Sequence, residues 1–244
     1  MTGRIACVFL LFGVVLTLAA CQAPVRPAGD GLETWAVTEP VPEQPPAGKQ
    51  YRVVPTASDV RVVIYPDGRL GHPHVFSGDA LSGAVVIPSS AGEARDHHGI
   101  WLDLALKVSA LAVDEPGWRL DEGFDPDMSE RARTGTLENM RSDAVLHENE
   151  YPEVRIRAAE AVGPHWQPDL TIQVTLRGET RVLTVPVAVR EQEGGALEVT
   201  GRFRIRQSDF GIEPFTALGG TVRVADEVLI RFRAHAEPDV RHSE

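Results

Sequence analysis

Three stretches in the carboxyl half alternate apolar and polar residues with a period of two. In "LTIQVTLRG", Leu170, Ile172, Val174 and Leu176 share one face, and Thr171, Gln173, Thr175 and Arg177 share the other. "LEVTGRFRIRQ" sets Leu197, Val199, Phe203 and Ile205 against Glu198, Thr200, Arg202, Arg204 and Arg206. "VLIRFRAHA" repeats the arrangement with Val228, Ile230, Phe232 and Ala234. Side chains of a strand point alternately to its two faces, so this pattern specifies antiparallel strands with one buried and one wet side. "VRIRA" from Val154 and "VLTVPVAV" from Val182 add two more, and Pro186 places the latter near an edge or bulge. Arg177-Gly178-Glu179-Thr180, read with Gly at its first central position, and Gly194-Gly195 supply hairpin turns.

In the first half, "YRVV", "VRVVIYPDG", "HVFSGDALSGAVVI" and "WLDLALKVSALAV" read as strands, the last with Leu102, Leu104, Leu106 and Val108 on one face. Between the halves the period changes. Asp127 with Glu130 resembles a capping box, and Leu137, Met140 and Ala144 recur at helical spacing, so one or two short helices are inserted. The expected fold is therefore all-β, an antiparallel closed barrel of about eight strands, since closure removes exposed sheet edges. A two-sheet sandwich is the alternative. An eight-stranded barrel is either filled by its own side chains or holds one small ligand.

The amino terminus predicts where such a domain would work. Residues 1–20 carry Arg4 and an apolar run of signal-peptide length, too short for a stable membrane span. They end in Leu18-Ala19-Ala20-Cys21, which resembles the lipobox of bacterial lipoproteins. Cys21 is thus the expected lipidation site, with acyl chains as the membrane anchor; an ordinary secretory signal is the alternative. Gln22, where an Asp would favour inner-membrane retention, points to the periplasmic face of the outer membrane. Residues 21–48 are Pro-rich, without apolar period, and read as a tether. Residues 49–237 then form one domain and 238–244 a tail.

Composition narrows the chemistry. The only other cysteine, Cys7, lies in the segment to be removed, so a metal site would have to use His and carboxylates. A net charge of -11 without a basic stripe argues against nucleic acid. No G-x-S-x-G, H-E-x-x-H or phosphate-cradling Gly loop occurs, so neither enzymatic activity nor a cofactor is expected. His72 and His74 share one side of an extended segment, about 6.5–7 Å apart at Cα. A metal needs a third ligand, which His97, His98 or Asp96 would have to supply. The other reading puts His72 and His74 at a barrel rim, against a ligand headgroup. Asp209-Phe210-Gly211 reads as a structural corner in which Phe210 or Phe215 plugs the mouth. The acidic run from Asp114 to Glu130 reads as solvated or as a docking surface.

With the strands placed, the chain resembles the YceI-like family from about Tyr51 to Ala236. The resemblance rests on "GRFRIRQSDFGIEPFTALGGTVRVADEVLIRFRAHAE", on "LENMRSDAVLHENEYPEVRI" with its Tyr151-Pro152 corner, and on "LGHPHVFSG". It departs where the family has an Arg-Asp pair ahead of the helix, and in the insertion "DEPGWRLDEGFDPD"; both leave ligand identity open. The resemblance implies a lipocalin-like barrel whose apolar lumen takes an isoprenoid or similar long-chain amphiphile. Together with the one-sided strands, it nominates Leu104, Leu106, Ile156, Ile172, Val174, Leu197, Phe203 and Ile205 as lumen residues. His72, His74, Phe210 and Phe215 are the rim candidates. A His-based metal module on His72, His74, His97 and His98, and a structural envelope protein with a filled core, remain as alternatives. No protein partner is indicated.

Overall fold

The computed structural model describes residues 39–67, 70–88 and 97–239. The signal segment, Cys21, most of the tether, Asp96, the side chains of His97 and His98, and the tail from residue 240 lie outside the described residues.

In chain order the elements are β1 (Gly48–Val53), β2 (Asp59–Pro66), β3 (His74–Gly78), β4 (Leu81–Pro88), β5 (His97–Lys107), β6 (Ala112–Val113), α1 (Pro116–Asp121) and α2 (Glu130–Arg141). The second half holds β7 (Glu153–Val162), β8 (Asp169–Leu176), β9 (Glu179–Glu191), β10 (Leu197–Arg206), β11 (Thr216–Ala217) and β12 (Val222–Pro238). Antiparallel pairing runs β1-β4-β5-β7-β8-β9-β10-β12, and β12 pairs back with β1 through Val53↔Ala236 and Tyr51↔Pro238. The ring closes with eight strands. It is a barrel and not a sandwich.

Closure depends on the length of β12. Val224 to Arg233 pair with β2, and Ala236 to Pro238 pair with β1. β1 and β2 are thus two segments of one wall position, broken by a 3-10 turn at Pro55–Ala57. β3 and β4 likewise follow one another, so the lower wall continues as β12-β2-β3-β6. There β6 is only two residues long, and α2 covers that side, with Arg141 Nη2 donating to the carbonyl oxygens of Ser109 at 2.8 Å and Leu111 at 3.2 Å.

Periodicity translated directly into burial on β8, where Leu170, Ile172, Val174 and Leu176 are all buried and their neighbours are not. Turn chemistry was displaced by one residue. The β8–β9 turn is Arg177-Gly178, both left-handed at φ 52° and 78°, so Gly occupies the second central position of a type I′ turn. Pro186 sits in the terminal β8–β9 register pair, and the β10 ladder ends at Val187. Its missing N–H therefore falls where two ladders run out. The helix cap also shifts. Ser129, not Asp127, is the N-cap of α2, its Oγ accepting from Ala132 N at 3.3 Å.

The acidic insertion is tied to the barrel wall: Asp114 is buried, while Asp121, Asp125, Asp127 and Glu130 stay exposed. Val75, Val63 and Leu229 stand side by side on the outer faces of β3, β2 and β12, and all three are buried. The segment carrying α1 covers them. Its Asp121 pairs with Arg61 at 2.9 Å and its Glu122 with Arg231 at 3.3 Å, while Phe124 packs edge-on against Tyr65. Arg61 and Arg231 lie directly opposite one another across β2 and β12. Like charges so placed repel, and the two carboxylates of the insertion offset that repulsion.

Candidate ligand-binding site

The inner faces of β1, β2, β4, β5, β7, β8, β9, β10 and β12 surround a cavity of about 220 Å³. Six of the eight nominated lumen residues line it: Leu104, Leu106, Ile156, Ile172, Leu197 and Phe203. Val174 and Ile205 point inward too, but one layer further along, in packed core with Phe210 and Ile212. Among the lining residues only His165, on the β7–β8 turn, carries a polar side chain. His165 is exposed, so the cavity opens at the end where that turn lies, beside Ile87, Gly99 and Val189. Sequence reading missed the width of the wall: Ile230, Phe232, Val185 and Val187 also line the cavity, and their period-two spacing was the available signal.

One position explains how aromatic bulk fits in so narrow a barrel. Gly201 occupies an inward position between Val199 and Phe203, and a Cβ there would stand 2.7 Å from the Phe232 ring. The absent side chain lets that ring lie across the β10 backbone. Phe203 meets it edge-on, with centroids 6.3 Å apart and planes at 68°.

The rim candidates do not border this opening. His72, His74 and Phe215 line a second, more polar cavity of about 500 Å³ at the opposite end, with the N-cap Ser129 and with Arg131, Thr136 and Asn139 from α2. Phe210 is 1% exposed and belongs to the core. That placement follows from connectivity, because β3 runs away from His74 into β4, whose last residues lie beside the start of β5. For the same reason the two histidine pairs are not brought together. The backbones of His97 and His98 begin β5 at the open end, paired with Val162 and Ala161. Among the described residues no group of three or more His, Cys, Asp or Glu is placed to hold a metal ion.

His74 has a different partner, which sequence spacing did not reveal. Its Nδ1 lies 2.6 Å from Oδ2 of Asp114, a fully buried carboxylate. Asp114 Oδ1 accepts from Val75 N at 2.9 Å and from Arg119 Nη1 at 2.8 Å. Arg119, itself 2% exposed, donates further to the carbonyls of Pro73 at 2.7 Å and Asp125 at 2.5 Å. Asp114 adopts φ 52°, a left-handed conformation that Asp tolerates better than most residues. Burial pushes its carboxyl up, but the hydrogen bonds from His74 and Val75 N–H, the His74 charge and Arg119 outweigh this and hold it below the ordinary range. The His72 ring packs on His74 with centroids 4.6 Å apart. Burial, His74 and Arg119 lower its basicity, with Asp114 opposing. This cluster anchors the β2–β3 connection to the α1 segment.

With strand order, lumen and helix positions established, a family model described as YceI-like domain matches residues 51–236. The chain belongs to the YceI-like family. Among solved structures this YceI-like chain is similar to BcnA of Burkholderia cenocepacia, at 17% identity and a TM-score of 0.54, covering 75% of this chain and 98% of that one. It is also similar to a polyisoprenoid binding domain from Saccharophagus degradans, at 15% identity and a TM-score of 0.53, covering 77% and 98% respectively. At these identities the likeness speaks for the shared barrel. No curated protein sequence matches this YceI-like chain.

Proposed function

We propose that this protein binds a hydrophobic amphiphile, isoprenoid-like in character, with its tail in the barrel lumen and no chemistry performed on it. The observation that carries the reading is a cavity walled by aliphatic and Phe side chains and open at one end. Each methylene transferred there from water contributes about 0.8 kcal/mol, so affinity needs few polar contacts. Family membership and the polyisoprenoid binding domain among the structural relatives support the same class of ligand. Native mass spectrometry of protein purified from its own host is expected to show a bound lipid-sized adduct. An empty domain that also fails to take up prenyl alcohols would overturn the reading and leave a structural envelope protein.

The same proposal includes export and anchoring through Cys21, with the domain held at the periplasmic face of the envelope, the outer membrane by virtue of Gln22. Changing Cys21 to Ser is expected to move the protein from the membrane to the soluble fraction after cell fractionation. Retention of the variant in the membrane would remove the lipid anchor from the proposal while leaving the lumen reading intact.

A further inference from the structure

The lumen is blind. Phe203 and Ile230 face one another in register and line its inner end. The next pair inward, Ile205 and Val228, is buried and does not line it. Val174, Leu183 and Phe210 fill the same layer at 5%, 0% and 1% exposure. Beyond that floor lies the second cavity, whose lining shares no residue with the first. A tail entering from the open end therefore stops at the Phe203–Ile230 layer.

Volume then limits length. An engineered protein cavity of about 150 Å³ holds one benzene, roughly 25 Å³ per carbon. On that scale the 220 Å³ available here accommodates about nine carbons. That is close to two isoprene units. One pair above the Phe203–Ile230 layer, the width is set by the Phe232 ring lying over Gly201 and against Phe203.

We propose that the lumen selects tails by length, seating about two isoprene units and leaving any longer tail to project from the mouth, with Phe232 as the residue that sets this limit. The inference rests on the lumen-binding reading above. It goes beyond that reading in naming a short tail, or the end of a longer one, as the recognised element.

The test uses the full mature chain, delipidated, with prenyl alcohols of one to four isoprene units competing against a fluorescent apolar probe. For the wild type, affinity is expected to rise about tenfold or more up to two units, then change less than about threefold for the third and fourth, because added carbons stay in water. Phe232→Ala removes a ring of six carbons and is expected to move the break to three units. Val199→Phe, filling the lumen beside Gly201, is expected to move it to one. Should Phe232→Ala fail to fold by circular dichroism, Phe203→Ala, which removes the ring edge-on to Phe232, replaces it. Affinity that climbs steeply through all four units in the wild type overturns the length limit while upholding lumen binding. An unchanged break in the folded variants overturns the role of Phe232. A wild type that takes up none of the alcohols overturns the binding reading itself.

Discussion

Replacing Asp114 with Ala should lower the unfolding free energy by about 3–5 kcal/mol, the range for removing one member of a buried ion pair. The change leaves Arg119 charged at 2% exposure with only carbonyl acceptors. It also removes the acceptor of the Val75 N–H and of His74, and puts an Ala at φ 52°. Urea unfolding of the variant measures the effect. Combining Asp114→Ala with Arg119→Leu is expected to cost less than the sum of the two single changes, because no uncompensated charge remains buried. Additive losses would mean that the two side chains act independently. The pH dependence has a definite sign. A carboxyl held below its unfolded value, near 3.9, contributes stability that is present above that pH and lost as the pH falls through the folded value. The urea midpoint of the wild type should therefore fall below about pH 4 more steeply than that of Asp114→Asn.

The second large effect separates floor from lumen. Phe210→Ala is expected to cost about 3–5 kcal/mol, since the ring is enclosed by Val174, Ile205 and Ile212 and its removal leaves a cavity. Leu104→Ala should cost only about 1–2 kcal/mol. Its side chain borders a void already present, so fewer dispersion contacts are lost. Thermal unfolding of the two variants measures the difference. Equal losses would show that Leu104 faces dense packing, and with it a lumen filled in solution.

These expectations use positions of very different legibility. Leu104, Ile156, Ile172 and Phe203 were readable as lumen residues because period two assigns a face without reference to neighbours. Val174 and Ile205 obey the same rule, yet lie past the floor. Face is a local property, whereas depth along the barrel depends on how eight strands are staggered. His72 and His74 suggested a metal pair or a rim, but the structure gave His74 a carboxylate forty residues away. Nothing in "VDEPGWRLDEG" distinguishes the buried Asp114 from its solvated neighbours, since burial here comes from folding α1 onto the outer wall. The same packing turned an acidic run into the counter-charge of Arg61 and Arg231.

Alternation along the chain, by itself, determined that the domain is built of antiparallel strands with one oily side, which a closed barrel and a two-sheet sandwich both satisfy; the pairing of β12 back onto β1 decided for the barrel. Tertiary structure alone decided how much of that interior stays empty, and at which end it opens. A void is the difference between the space enclosed by the ring and the volume of the side chains directed into it. That difference depends on stagger, on a missing Cβ at Gly201 and on Phe210 folding in from the turn after β10, so no single strand contains it.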